Sequence, residues 1–260
     1  MKYQIWNLGS SSEGNCFIVK HKDCKEALML ECGLPYTQLK SRWRNAAGAP
    51  FPDEVLISHE HLDHCRAWEQ LYNFGCDIAT LQGTARALQN KAESPVIRQS
   101  VHSCIKRLNQ GEWQTMAPKK NSCYCFLPSL VHHDAAEPAM FLIRAKGFDD
   151  VLLFAIDTAG IPYNFKNFKI TDMLIECNYS ESDISPDMDP IRMERVKNTH
   201  MSLESLTEFF ERQKFPNLQQ ITLCHLSQSN CDPKKAKETI MAATGVPVRV
   251  CAAKEGFIGN

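Results

Sequence analysis

The sequence predicts an α/β fold of four layers, an αββα sandwich of two face-to-face β-sheets with helices outside, in a single domain over residues 1-260. Three observations predict it. Short apolar runs of strand character recur in both halves of the chain, and helical stretches are interspersed among them in both halves. The composition, 43% hydrophobic and 23% charged over 260 residues, is that of a globular chain long enough to bury a sizeable core. No internal repeat, low-complexity tract or linker divides it.

Taken in order, "YQIWNLG", "CFIVKH", "EALMLEC" and "EVLISH" read as strands, and the turn "GSSSEGN" makes the first two a hairpin-like unit. Helices are expected at "PYTQLKSRWRN", "CRAWEQLYNFG" and "QGTARALQNK". Mid-chain strands follow at "SCYCFLPSLVHH", "AMFLIRAK", "VLLFAID" and "DMLIECN". The last quarter alternates: a helix over "SLESLTEFFERQ" with Ser202 as N-cap, the strand "QITLCHL", a helix "PKKAKETIMAAT" opened by Pro233, and the strand "PVRVCA".

The net charge is −1 and the pI about 6.7, so wholesale attraction to a polyanion is not indicated. Any such contact must use local clusters: "KSRWR" (Lys40, Arg42, Trp43, Arg44), "APKK" (Lys119, Lys120) or "KKAK" (Lys234, Lys235, Lys237), each of which also reads as a solvated face. No apolar run approaches the roughly 20 residues that cross a bilayer. The N-terminus lacks a signal-peptide layout, so a cytoplasmic location is expected. The 12 cysteines are scattered and are expected as reduced thiols packed like small hydrophobes. Cys123 and Cys125 form a C-x-C without a second pair at zinc-ribbon spacing.

Chemistry concentrates in "VLISHEHLDHC", where His59, His61, Asp63 and His64 directly follow an apolar strand. Histidines spaced i, i+2 cannot share a helical face, but in an extended loop they converge on one ion. Asp63 and His64 then turn away and can reach a second. Imidazole with carboxylate suits Zn²⁺, Mn²⁺ or Fe²⁺ better than Ca²⁺ or Mg²⁺. The pattern recurs at later strand ends: "SLVHHDAAEP" carries His132 and His133, "VLLFAID" ends in Asp157, and "ITLCHL" reaches His225.

With those residues in place the sequence resembles the metallo-β-lactamase-fold hydrolases, whose hallmark is an H-x-H-x-D-H loop followed by separate His, Asp and His motifs. The resemblance runs from "LGSSSEGNCFIV" to the final strand. It implies two divalent metal ions, Zn or Mn, as cofactors: one held by His59, His61 and His133, the other by Asp63, His64 and His225, with Asp157 bridging. His133 is favoured over His132 because "HHDAAEP" resembles the "HDA" motif of one branch. "GSSSEGNCFIV", "SHEHLDH", "FAIDTAG", "LIECNY", "THMSLES" and "CHLSQSN" resemble, in order, the small exonuclease-like members of the WalJ/YycJ type. The chain is too short for a β-CASP insertion and lacks the protruding arm of tRNase Z. Two departures stand out. Glu31 or Cys32 occupies a position where an aspartate usually supports the metal loop, and "NTHMSLE" replaces a motif closer to "GHLSN".

The function implied is a two-metal phosphodiesterase acting on nucleic acid, a DNA exonuclease by resemblance. A phosphodiesterase of cyclic nucleotides is the first alternative, since it needs only a pocket and few basic groups. Hydrolysis of a thioester or lactam on the same scaffold is the second. Asp63 is expected to act catalytically as a ligand that also orients the attacking water. His200, before a helix, is expected to serve the leaving oxygen and bind substrate, and Ser202 to touch the same phosphate. The expected partners are a nucleic acid or nucleotide substrate and no membrane, with a homodimer left open.

Overall fold

A computed structural model describes residues 1–99, 104–116 and 122–251, with the backbone of 256–257. Lys119 and Lys120 of "APKK" lie outside the described residues. Strands β1 (Tyr3–Gly9), β2 (Cys16–His21), β3 (Ala27–Leu30), β4 (Pro52–Leu56), β5 (Asp77–Leu81) and β6 (Ile105–Leu108) form one sheet in that order. Strands β7 (Gln114–Thr115), β8 (Tyr124–Leu130), β9 (Ala139–Ala145), β10 (Val151–Ala155), β11 (Ile170–Glu176), β12 (Gln220–Cys224) and β13 (Val248–Val250) form the second, also in chain order. A short β14 (Gly256–Phe257) closes the outer edge of the first sheet against β1. The β1–β2 hairpin forms as expected, antiparallel with Trp6 opposite Ile18.

The strands are apolar on both sides because both of their faces are covered. Tyr3, Ile5, Phe17, Leu28 and Leu56 point inward and meet Phe126, Phe141, Leu152, Phe154 and Leu174 of the other sheet, all of them buried. The alternate residues point outward. Leu8, Met29, Val55 and Ile78 pack under helices α1 (Tyr36–Asn45), α2 (Leu62–Cys65), α3 (Trp68–Asn73), α4 (Gln82–Lys91) and α5 (Pro95–Gln99). On the other flank, between α6 (Pro190–Thr199) and α8 (Pro233–Thr244), lies α7 (Leu203–Arg212). Its Leu203, Leu206, Phe209 and Phe210, with Ala236 and Ile240 of α8, cover Leu153, Met173 and Leu223. The expected αββα layering is what the chain adopts.

Several elements differ from expectation. The helix expected over "CRAWEQLYNFG" is two short helices, α2 and α3, the first beginning inside the histidine loop at Leu62. Strands β5 and β6 are short and were not expected. Helix α6 was not expected either, and Thr199 is its one buried residue, so its sequence carries almost no apolar stripe.

Strand direction positions the site. Strands β3, β4 and β5 are mutually parallel, as are β10, β11 and β12. Strand β8 runs in the sense of β10, since both are antiparallel to β9. The carboxyl ends of β3 and β4 thus share one edge of the first sheet and those of β8, β10, β11 and β12 one edge of the second, and contacts of His59 and His64 with Asp157 bring the two edges to one rim.

Candidate metal centre

The rim collects the residues that the sequence singles out. Donor atoms of His59, His61, His133 and Asp157 all lie within 4.8 Å of one another, and so do those of Asp63, His64, Asp157 and His225. Asp157 is common to both sets, and to a third such group with Glu176, His200 and His225. The division arises locally: His61 caps α2 in an extended conformation, and the first turn of that helix carries Asp63 and His64 away from His59 and His61.

Neighbours aim the rings of His59, His133 and His225 through the other nitrogen, as is usual for metal-ligating histidines, and a carboxylate stands behind His64. His59 Nδ1 meets Ser58 Oγ at 2.9 Å, leaving Nε2 toward the centre. His133 Nδ1 donates to the Thr199 carbonyl at 3.0 Å, and its Nε2 faces His61 Nδ1 at 3.2 Å. His64 Nδ1 points to Glu31 Oε2 at 3.6 Å, while its Nε2 stands 3.2 Å from Asp157 and 3.3 Å from Asp63. Glu31 is fully buried and its Oε1 accepts from Ser58 N at 3.0 Å, so this carboxylate braces both the loop backbone and His64. Of Glu31 and Cys32, Glu31 is the one whose side chain faces the metal loop.

The centre fits metal ions on its own observations. His59 Nε2, His225 Nε2 and Asp157 Oδ1 are buried without a hydrogen-bond partner among the described residues, a costly state unless something else binds them. Borderline imidazole with hard carboxylate is the donor chemistry of Zn²⁺ and Mn²⁺. Burial depresses the proton affinity of His59 and His133, favouring the neutral ring that ligates. For His64 and His225 burial acts in the same sense, but the Asp157 carboxylate prevails and raises their proton affinity. Burial would raise the Asp157 carboxyl, but the same attraction holds it well below the usual range; a bound cation would take the place of those protons. Backbone strain marks the same places. Glu31, Asp157 and His225 have φ of 61°, 50° and 54°, and no other described non-glycine residue has positive φ. Each such conformation costs on the order of 1–3 kcal/mol and persists where the surroundings enforce it.

His200 lies beside this centre, between α6 and α7. Its ring stacks on His225 with centroids 5.3 Å apart, and its Nδ1 donates to Glu176 Oε1 at 2.7 Å. Glu176 Oε2 accepts from Thr158 N and Met201 N at 3.0 and 3.3 Å, so the carboxylate is fixed from three sides. Burial would lower the proton affinity of His200, but the Glu176 charge and hydrogen bond prevail and raise it. Glu176 was not singled out from sequence, although "DMLIECN" ends an apolar strand on a carboxylate as "VLLFAID" does.

Two residues stand apart from the cluster. His132 is exposed, its Nδ1 on the Asn198 carbonyl at 2.9 Å, so the adjacent His133 alone enters the donor set. Ser202 is buried and its Oγ accepts from Ser205 N at 3.0 Å. It caps α7, as expected, but this leaves it no role in touching substrate. Asp134, paired through Arg195 Nε at 2.8 Å, and Asn178, which donates to the His225 carbonyl at 2.9 Å, lie inside the motifs "HHDAAEP" and "LIECNY" but were not singled out from sequence.

No family model and no curated protein matches the chain. Solved structures do match it over nearly its whole length. The metallo-β-lactamase fold protein YhfI from Bacillus subtilis shares 14% identity and covers 98% of this chain and 99% of its own, with a TM-score of 0.66. Unliganded yeast PDE1 shares 13% over 97% of this chain and 98% of its own, with a TM-score of 0.69. A diphosphatase from the PhnP family shares 12% over 100% and 99%, with a TM-score of 0.64. With its two seven-stranded sheets and helices on both outer faces, the chain has the metallo-β-lactamase fold.

Proposed function

We propose that the chain is a metal-dependent phosphodiesterase, acting on nucleic acid or nucleotides, whose two divalent ions, Zn or Mn, are held by the two donor sets sharing Asp157. His59, His61 and His133 would hold one ion, and Asp63, His64 and His225 the other. Bound there, such ions supply an activated water near neutral pH and neutralise charge on the phosphoryl oxygens. The chain's own residues do the rest. Asp63, side chain 22% exposed, is open to the rim, as is His61 at 29%, and its carboxylate is placed to orient the attacking water. Glu176 keeps a proton on His200 Nδ1, leaving Nε2–H to donate to the departing oxygen.

The single observation that carries this reading is the Glu176–His200 pair beside the donor sets. A poor alkoxide leaving group needs a proton, whereas acyl transfer from a thioester does not. The likeness to a diphosphatase adds support for phosphorus chemistry. A DNA exonuclease of the WalJ/YycJ type is the finer reading, carried by the motif order "SHEHLDH", "HHDAAEP", "FAIDTAG" and "CHLSQSN". Its test is incubation of Zn²⁺- or Mn²⁺-loaded protein with end-labelled DNA, RNA and cyclic nucleotides in parallel. Mononucleotide release from DNA is expected. Turnover of a thioester or lactam without any phosphodiester cleavage would contradict the reading.

A further inference from the structure

On the His200–His225 side, the centre opens into a cavity of about 330 Å³. That is the small end of the roughly 300–1,000 Å³ range of ligand pockets, too small for a duplex. Its walls come from three segments the phosphodiester reading leaves unused. One is α6, whose Arg192, Arg195, Val196 and Thr199 follow helical spacing and so share one face. The second is the loop after His225, with Ser227, Gln228 and Ser229. The third is the β1–β2 turn, with Ser12 and Glu13.

Charge divides this cavity. Arg195 is held by Asp134, which takes its Nε at 2.8 Å and is itself 3.3 Å from His133 Nε2. One nitrogen of the guanidinium is thereby committed and its plane is set, while the remaining donors stay free. Through Asp134, Arg195 stands one side chain away from His133 of the centre. Among the described residues no carboxylate pairs with the Arg192 guanidinium, although Asp189 accepts from its backbone N. Glu13, exposed on the turn, supplies an acceptor at another wall. A ligand that is anionic at one end, with hydroxyls and N–H donors elsewhere, matches this distribution.

We propose that this cavity is a subsite for one nucleoside monophosphate unit, with Arg195 and Arg192 on its phosphate and the Gln228 loop and Glu13 on its sugar and base. The inference rests on the phosphodiester reading and narrows it to substrates that present a single nucleotide to the centre, whether a strand end or a free cyclic nucleotide. The near-neutral pI agrees, since one nucleotide needs two arginines rather than an extended basic footprint.

The test is calorimetric titration of Zn²⁺-loaded protein with adenosine 5′-monophosphate and with inorganic phosphate. The nucleotide is expected to bind one per chain and more tightly than phosphate. Arg192→Gln with Arg195→Gln should weaken it at least tenfold at unchanged metal content and melting temperature. Gln228→Ala should weaken the nucleotide but not phosphate. Equal affinity for nucleotide and phosphate, or an unchanged double variant, overturns the subsite. Turnover of bis(4-nitrophenyl) phosphate by the wild type reports the phosphodiesterase reading separately, so either can fail alone. A tenfold or greater loss of kcat/KM by the double variant on a single-stranded oligonucleotide assigns the subsite to strand ends. The same loss on cyclic AMP alone assigns it to free nucleotides, and loss on neither overturns it.

Discussion

Asp157 is the residue whose loss should do most damage, because its carboxylate belongs to both donor sets. Asp157→Ala is expected to release at least one ion and to abolish hydrolysis with the fold retained. Activity above about a tenth of wild type would contradict a bridging role. His200→Ala should lower turnover roughly 10²–10⁴-fold on an alkyl phosphodiester, and less on a nitrophenyl ester whose leaving group needs little protonation, with metal content unchanged. The sign of the pH effect follows from Glu176. It raises the His200 pKa above the ordinary imidazole value, so the proton is kept to higher pH than on a free imidazole and activity falls as pH rises through that raised value. Glu176→Gln removes the charge and should shift the alkaline limb of the kcat profile to lower pH; an unmoved limb would show that Glu176 does not set it. The histidines and Asp157 were legible because they end apolar runs or, as with His61 and His64, follow within the same short loop. Asp134 and Asn178 were not, since they act through partners far away in sequence: Arg195 for the first, 61 residues on, and His225 for the second, 47 residues on.

At the scale of elements, the metal loop is held by backbone contact with the turn after β3. A Cβ on Gly33 would stand 1.7 Å from the Asp63 carbonyl oxygen, and Asn15 N donates to that same oxygen at 2.7 Å. Gly33→Ala must therefore push the Asp63–His64 turn outward, and it is expected to lower metal content and melting temperature together. Normal metal binding in that variant would show the loop to be adaptable. In β4, buried Glu54 has its pKa raised to about 7, chiefly by burial. The folded state thus binds that proton more tightly than the unfolded chain, so Glu54 costs stability progressively between the ordinary carboxyl pKa and about pH 7. Glu54→Gln should stabilise by about 1–3 kcal/mol at pH 8 relative to its effect at pH 4, measured by denaturant unfolding at the two pH values. An equal effect at both would contradict the shift. Helix α7 could be read because Ser202 and a four-residue apolar face announce it. Helix α6 could not: it buries only Thr199 and is kept by its Asp189 cap and its place beside the cavity. Strands β5 and β6 escaped for a related reason, being five and four residues long without clear alternation.

For the whole molecule, the layering was legible because both faces of most strands are buried and the runs are correspondingly apolar. Which strand ends would meet was not, since it depends on parallel pairing within each sheet and on how one sheet seats against the other. The metallo-β-lactamase fold brings residues from His59 to His225 onto one rim, so the centre should couple to global stability. Chelation is expected to lower the melting temperature, and Zn²⁺ or Mn²⁺ to restore it, since ligands that bind only the folded state stabilise it. The most direct test of the central claim is the metal stoichiometry of protein purified without chelator, with each ion located by anomalous scattering. Two ions per chain are expected, one among His59, His61 and His133 and the other among Asp63, His64 and His225, with Asp157 touching both. Finding no ion at His59, His61 and His133 would contradict it.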